Sequence, residues 1–357
     1  MNTSSSKLSI SEQQIINQAL IAPINLVTLT NSTGLTVTLS DLGASIWSMI
    51  LPSPEGSTEE SVDIVLNYQD VANWANNPNY FGVTAGRVAN RIGGASFEMA
   101  GKAILLEKNE GENQLHGGPG GISTRSWTYE THQGENSVAV IYRLHSTDGD
   151  QGFPGNLDIE IEYRLNEQNE LSLIYKATTD KTTPICLTNH AYWNIAGTSS
   201  KDILDLELQI NADKVIALDE EQIPNGDFIA VTGTAFDFNQ AKTVGKNINE
   251  LDNGYDHYYV ANREDAQSLM KIANLRDPIS GREMEILTTE LGLQFYSGNF
   301  LDGSVMGAQG RPLTKFSGLC LETHGYPNAV NHQHFPSVIV NKDEVYRQTT
   351  VHRFLNI

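Results

Sequence analysis

Strict alternation of apolar and polar residues runs through much of this chain, and it restricts the fold more than any other feature. In residues 24–40, INLVTLTNSTGLTVTLS, Val27 and Leu29 alternate with threonines, and the alternation resumes after a turn at residues 31–34. Residues 157–178, LDIEIEYRLNEQNELSLIYKAT, repeat the arrangement around the polar turn NEQNE. Because the side chains of a strand point to its two faces in turn, each segment predicts an antiparallel hairpin with one buried face.

Further candidate strands lie in the segments VAVIYRLHS, ILDLELQIN, GREMEILTT and SVIVNKDEVYRQTTVHRFLNI. Only two short segments, SEQQIINQAL (11–20) and DVANWANN (70–77), have a helical period. We find no linker rich in proline, glycine or serine and no internal repeat. We therefore expect an all-β fold of two antiparallel sheets packed face to face, with residues 24–357 as one domain after a polar segment of residues 1–23.

The chain is strongly acidic, with 43 Asp and Glu against 23 Lys and Arg and a formal charge of −20. A nucleic-acid backbone or an anionic membrane surface would be repelled by this charge, so neither is an expected partner. A neutral small molecule feels no such repulsion. The sequence indicates nothing about the oligomeric state.

Two cysteines, Cys186 and Cys320, each lie inside an apolar run. Thiols in such positions are typical of small buried side chains rather than of a disulfide or a metal pair, which fits a reducing compartment. No segment approaches the roughly 18 apolar residues that span a membrane, and the polar N-terminal residues lack the apolar core of a secretory signal. We expect a cytoplasmic protein; a periplasmic location stays open if a leader was removed before the numbering began.

Polar clusters interrupt the alternation at a few places. The stretch GRVANRIGG carries Arg87, Asn90 and Arg91, a combination of donors and an amide that suits hydroxyl recognition, although arginines also pair with surface acids. His116 precedes a glycine-rich turn, where the backbone can approach a ligand or a histidine can simply end a strand. His190, in TNHAYWNIAG, is either a core histidine or a proton donor.

Glu322 directly follows the apolar residues 319–321, where a carboxylate is costly unless it is hydrogen-bonded, so it is a candidate acid or base or a structural cap. Asp256, His257 and Gln294 lie in similar settings. Residues 332–334, HQH, are a weak metal signal, since no zinc pattern, phosphate loop, GxSxG elbow or dinucleotide fingerprint is present.

In their order along the chain, these stretches resemble the aldose 1-epimerases, also called galactose mutarotases. The resemblance covers nearly the whole chain after the first two dozen residues. It is carried by the stretches GRVANRI, NQLHGG, DGDQGFPG, TNHAYWNIAG, IPNGD, NGYDHYYV, QFYSGNFLDG, LETHGYPNAVN and TTVHRF. Three residues depart from the family's usual pattern: Trp193 stands for phenylalanine, Tyr258 for asparagine and His324 for glutamine.

The resemblance implies a large antiparallel β-supersandwich with its active site in a wide cleft. It implies an isomerase that interconverts the α and β anomers of free aldohexoses such as galactose and glucose, with a monosaccharide as partner and no metal or other cofactor. It assigns Glu322 as general base and His190 as general acid. The sugar-binding residues that it implies are Asn90, Arg91, His116, Asp256 and Gln294.

Mutarotation moves two protons, since a base takes the proton of the C1 hydroxyl while an acid protonates the ring oxygen. An unperturbed histidine has a pKa of about 6.5, so we expect Glu322 or Asp256 to raise the pKa of His190. Arg91 and Asp256 are expected to bind hydroxyls far from C1. Tyr192 and Trp193 are expected to support His190 or to form the pocket wall.

Three alternatives stay open. A glycosidase would use two carboxylates across the sugar. A hexose-6-phosphate epimerase would need an additional basic cluster for the phosphate. A sugar-binding protein without activity on the same scaffold would keep the binding residues and lose the acid or the base.

Overall fold

Twenty-nine strands and six short 3-10 helices make up the part of the chain that the computed structural model describes, residues 8–53, 60–200, 202–263 and 267–357. The strands in the first half are β1 (Ser9–Ile15), β2 (Ile24–Thr30), β3 (Thr36–Ser40), β4 (Ser45–Leu51), β5 (Val62–Asp63), β6 (Thr84–Ala85), β7 (Arg91–Ile92), β8 (Ser96–Met99), β9 (Lys102–Leu105), β10 (Gln114–Leu115), β11 (Thr128–Gln133), β12 (Ser137–Ser146), β13 (Leu157–Asn166) and β14 (Glu170–Thr179).

The second half of the chain adds β15 (Thr183–Pro184), β16 (Thr188–Asn189), β17 (Glu207–Ile210), β18 (Lys214–Leu218), β19 (Pro224–Ala230), β20 (Lys242–Thr243), β21 (Asp256–Val260), β22 (Met270–Arg276), β23 (Glu283–Thr288), β24 (Gly292–Tyr296), β25 (Asp302–Met306), β26 (Pro312–Thr314), β27 (Cys320–Thr323), β28 (Ile339–Val340) and β29 (Val345–Leu355). The 3-10 helices are Val71–Ala75, Gly93–Ala95, Ile122–Thr124, Asp150–Gly152, Val244–Glu250 and Ala329–Asn331.

Three large antiparallel sheets contain most of these strands. The largest has nine strands in the order β11-β12-β13-β14-β29-β23-β22-β17-β20, and the other two have five each, β1-β2-β3-β4-β5 and β19-β18-β21-β24-β27. The main core takes buried side chains from all three, for example Val27, Ile161 and Phe295. The all-β fold is therefore confirmed, with three large sheets where the alternation alone suggested two.

Both hairpins expected from the alternation are present. β2 pairs with β3 across a turn in which the Asn31 side chain accepts the backbone N–H of Leu35 at 3.0 Å. β13 pairs with β14, and along both strands buried residues alternate with more exposed ones. The period of two thus predicted which side chains enter the core.

The two helical expectations have different outcomes. Val71–Ala75 is a 3-10 helix whose N-cap, Asp70, accepts the backbone N–H of Ala72. In SEQQIINQAL, however, the residues up to Ile15 belong to strand β1, which pairs with β2 along its whole length. A helix of about ten residues is marginal in water, whereas the open edge of β2 offers a complete ladder of hydrogen bonds. Within the described residues, none of the helices is long and apolar enough to cross a membrane.

Candidate active site

One face of the five-stranded sheet β19-β18-β21-β24-β27 carries three of the expected site residues. Gln294 on β24 lies directly opposite Glu322 on β27, and Tyr258 on β21 lies opposite Gln294. Asp256 is two residues before Tyr258, so its side chain points to the same face. Three distant stretches of sequence therefore become neighbours through strand register.

A second group comes from the short pair β7 and β10, in which Arg91 lies opposite Leu115. The next residue, His116, donates its backbone N–H to the carbonyl of Asn90 at 3.1 Å, and the N–H of Asn90 donates to Nδ1 of His116 at 3.2 Å. Both residues have positive φ, 63° for Asn90 and 49° for His116. Asn and His adopt positive φ more readily than most residues, and the two hydrogen bonds between Asn90 and His116 hold both in this conformation.

Gly117 explains why a glycine must follow His116. Its φ is +86°, and a Cβ at this position would lie 1.9 Å from the carbonyl oxygen of Gly86. Any other residue would push the turn away from that backbone, and His116 would move with it. The sequence predicted a glycine turn whose backbone could approach a ligand. In the structure, Gly117 closely approaches the backbone of Gly86.

His190 follows β16 and is held by backbone bonds on both sides. Its N–H donates to the carbonyl of Val83 at 2.8 Å, and its own carbonyl accepts from Gly82 at 3.0 Å. The ring packs against that of Tyr192 at 5.2 Å and that of His116 at 5.1 Å between centroids. The position of the imidazole is therefore determined by main-chain pairing and by aromatic neighbours.

These elements surround one cavity of about 140 Å³. All seven expected site residues line it: Asn90, Arg91, His116, His190, Asp256, Gln294 and Glu322. Tyr192 lines it too, which agrees with the expectation that this residue forms part of the pocket wall. Sequence reasoning missed other polar and aromatic residues of the lining, which no local pattern marks: Asn79, Tyr80, Glu110, Tyr296 and Phe300.

Glu322 and His190 face each other inside the cavity. Glu322 Oε1 lies 3.6 Å from His190 Nε2, and both side chains are almost completely buried. The second carboxyl oxygen of Glu322, Oε2, has no hydrogen-bond partner among the described residues. A buried oxygen of this kind is costly to leave unmatched, so it is suited to a hydroxyl group of a bound ligand.

Burial shifts the two pKa values in opposite directions. It raises the pKa of Glu322 well above its ordinary value of 4.5, with the Asp256 carboxylate adding to the shift and Arg91 opposing it. It lowers the pKa of His190 to about 4. The expectation that a carboxylate would raise the pKa of His190 is wrong, because the loss of hydration of the imidazolium outweighs any carboxylate nearby.

A chain of polar contacts continues from the pair along the cavity wall. Gln294 Nε2 donates to Asp256 Oδ1 at 2.6 Å, and Asp256 Oδ2 lies 3.5 Å from Arg91 Nη1. Glu110 binds the other side of Arg91 through both carboxyl oxygens, at 2.7 Å from Nε and 3.0 Å from Nη2. A bidentate carboxylate fixes the plane of a guanidinium, so Glu110 holds Arg91 in place in the cavity.

His116, His190 and Glu322 place potential metal ligands within 4.8 Å of one another. The protonation of His116 does not fit such a role. Its Nδ1 accepts the N–H of Asn90, and burial lowers the pKa of the ring well below 6.5, so the neutral ring carries its proton on Nε2. Neither nitrogen has a free lone pair for a metal, and Nε2–H is instead a donor for a ligand oxygen.

The three residues that depart from the family pattern lie outside the cavity lining. Trp193 is buried in the main core with its ring 4.9 Å from that of His352, so the expectation that it forms a pocket wall is wrong. Tyr258 and His324 contact each other, with ring centroids 5.1 Å apart and the Tyr258 hydroxyl donating to the His324 carbonyl at 2.5 Å. They form a layer beside the site, next to Gln294 in the sheet.

Other polar candidates have structural surroundings. Arg87 is buried and donates to backbone carbonyls that include those of residues 146 and 147. His257 packs on the ring of Phe236, at 4.4 Å between centroids. His332 and His334 each donate through Nε2 to a backbone carbonyl at 2.8 Å.

Comparison with known proteins gives consistent matches. A sequence profile described as aldose 1-epimerase matches residues 25–353. The galactose mutarotase of Sus scrofa is 38% identical over 317 residues, which cover 88% of this chain and 90% of that protein. The aldose 1-epimerase of Escherichia coli K12 is 36% identical over 343 residues, covering 93% of this chain and 96% of that protein.

Two solved structures show the same fold. An aldose epimerase homologue from C. elegans superposes with a TM-score of 0.84 at 29% sequence identity, covering 92% of this chain and 98% of its own. The galactose 1-epimerase from Lactobacillus acidophilus NCFM superposes with a TM-score of 0.85 at 24% identity, covering 98% and 99% of the two chains.

Proposed function

Because this chain belongs to the aldose 1-epimerase family, we propose that its cavity opens and recloses the ring of a free aldohexose and so interconverts the α and β anomers. The enzyme is an isomerase of the mutarotase type. The observation that carries the residue assignment is the facing pair of Glu322 and His190, buried together at 3.6 Å in a cavity lined by hydroxyl-binding groups.

Ring opening requires one proton to leave the sugar and one to enter it. Glu322 takes the proton of the C1 hydroxyl, whose O–H electrons form the C1=O bond of the aldehyde. The C1–O5 bond breaks, and its electron pair on O5 accepts the proton of His190 Nε2. After rotation about C1–C2, the same groups act in reverse and close the ring on the opposite face.

The pKa shifts favour this direction of proton movement. A raised pKa makes the Glu322 carboxylate a stronger base, and a lowered pKa makes the His190 imidazolium a stronger acid. Protonated Glu322 and neutral His190 are the state that the pair holds while the aldehyde is bound. Since burial favours these uncharged forms, the cavity stabilises the ring-opened stage.

The remaining cavity residues are proposed to hold the sugar. Arg91 and Asp256 bind hydroxyls far from C1, supported by the bonds to Glu110 and Gln294. His116 donates a hydrogen bond through Nε2–H, and the Asn90 side chain lies beside it. Tight binding at the far hydroxyls leaves the C1 end free to rotate.

A phosphorylated sugar fits this cavity poorly. Among the described residues that line it, Arg91 is the one Lys or Arg, and its guanidinium already binds Glu110 and faces Asp256. Three carboxyl groups lie around the same space, which disfavours a phosphate dianion. We also propose a cytoplasmic location, which the two buried free thiols support.

Polarimetry on freshly dissolved α-D-glucose and α-D-galactose tests the proposed activity. We expect the protein to accelerate the approach to anomeric equilibrium above the buffer rate for at least one of the two sugars. Calorimetry with the same sugars measures binding separately from catalysis. Sugar binding without any acceleration would contradict the proposed function and favour a sugar-binding protein on this scaffold.

The pH profile of kcat/KM is expected to lack the usual histidine inflection near 6.5. The active pair carries one transferable proton, and it gains a second only when the pH falls through the pKa of His190, about 4. It loses its proton only when the pH rises through the raised pKa of Glu322. After subtraction of the buffer rate, we expect a profile that stays flat from about pH 5 through the usual histidine range; an inflection near 6.5 would contradict the assignment.

A further inference from the structure

A thiol lies behind the imidazole of His190, on the side away from Glu322. Cys320 Sγ is 3.6 Å from His190 Nδ1, and Cys320 is completely buried. It stands two residues before Glu322 on β27 and therefore shares its face of the sheet. Cys320 does not belong to the residues that line the cavity, so it acts on the sugar only through His190.

The position of the remaining ring proton decides whether His190 can work in both directions. The nitrogen that faces Glu322 and the cavity is Nε2, and it gives its proton to the ring oxygen during opening. The neutral ring then keeps its other proton on Nδ1, and Nε2 has the lone pair that takes the proton back on closure. In the opposite tautomer, Nε2 already carries a hydrogen and cannot take the proton back.

We propose that Cys320 is a positioning residue whose sulfur accepts the Nδ1–H of His190 and so selects the tautomer with a free Nε2. This inference rests on the proposed role of His190 as the acid. The contact also fixes the rotation of the ring, so that Nε2 stays directed at the cavity.

Sulfur suits this role because it orients the ring without adding charge. Burial raises the pKa of the Cys320 thiol well above its ordinary value, so the group is neutral. A carboxylate at the same place would stabilise the imidazolium, raise the pKa of His190 and weaken it as an acid. A thiol is a weak hydrogen-bond acceptor. It therefore stabilises the imidazolium little, and the pKa of His190 stays low, as burial sets it.

Cys186 provides a matched control. It is also a free, buried cysteine, at 2% exposure, but its Sγ lies 3.9 Å from the carbonyl of Gly325 and it does not line the cavity. Cys186→Ala therefore removes a buried sulfur of the same size without touching the tautomer of His190.

The first measurement is the 15N NMR spectrum of the His190 ring in the wild-type protein at neutral pH, assigned by its absence in His190→Gln. We expect the shifts of the Nδ1–H tautomer. In Cys320→Ala we expect the population of the Nε2–H tautomer to increase. We also expect kcat to fall roughly tenfold, which is less than the 10²–10⁴-fold that a positioned acid contributes, because His190 itself remains. KM should change little, since no sugar contact is lost.

Cys320→Ser should recover most of kcat and of the Nδ1–H signal, because a hydroxyl oxygen also accepts a hydrogen bond. The proposal is overturned if neutral His190 in the wild-type protein carries its proton on Nε2. It is equally overturned if Cys320→Ala matches Cys186→Ala in both kcat and ring shifts. The wild-type spectrum decides even where a Cys320 variant does not fold, and it is independent of activity. An active His190→Gln would instead contradict the proposed function.

Discussion

Glu322→Gln is expected to lower kcat/KM for mutarotation by about 10²–10⁴-fold, the usual contribution of a positioned proton acceptor. Glutamine keeps the shape of the side chain and can still bond to the C1 hydroxyl, but its amide cannot take the proton. Polarimetry of α-D-galactose, with the buffer rate subtracted, measures the loss. Calorimetry should show that the variant still binds the sugar.

Folding provides the control for this variant. Because burial raises the pKa of Glu322, the charged form is unfavourable in the folded state, and a neutral amide of the same size should leave Tm unchanged or raise it. A stable variant that keeps more than about a tenth of wild-type activity would be outside the range expected for a lost base and would remove Glu322 from that role.

His190→Gln is expected to reduce kcat/KM by a similar factor, about 10²–10⁴-fold. The glutamine amide can donate a hydrogen bond to the ring oxygen but cannot release its proton. Because Glu322 and His190 act on the same step, the double variant should be little slower than either single variant. Multiplicative losses would show instead that the two residues act independently.

His352→Gln is the matched control for the loss of a buried imidazole. Burial lowers the pKa of His352 to about 4, as it does for His190, but its ring packs on Trp193 in the core and does not line the cavity. We expect a lower Tm with near-normal mutarotation. A comparable loss of activity in this variant would mean that the effect of His190→Gln comes from general destabilisation.

Local patterns predicted the hairpins well. The side chains of a strand alternate between its two faces, so an apolar residue at every second position directly indicates a strand with one buried face. The turn at Asn31 and the alternating burial of β13 and β14 were both expected. The segment at 11–20 was misjudged, since its residues up to Ile15 pair with β2, and the availability of that edge is a tertiary property.

The ordered series of motifs predicted seven site residues, and all seven line one cavity. Glu110 and Tyr80 were missed because nothing near them in sequence distinguishes them from surface or core residues. Trp193 was expected to support His190 or to form the pocket wall, but its backbone pairs with Val65 and Leu319 and its ring lies in the main core.

The all-β class could be predicted from the sequence, and so could the chemical types available for proton transfer, a carboxylate and an imidazole, because both follow from residue identity and local period. The protonation and orientation of those groups depend on the folded protein. Burial sets the direction in which the pKa of His190 shifts. The tautomer of His116 and the contact of Cys320 with His190 depend on partners far away in sequence. Hydration and hydrogen bonding at a buried atom are set by everything packed around it, and no local stretch of residues contains that information.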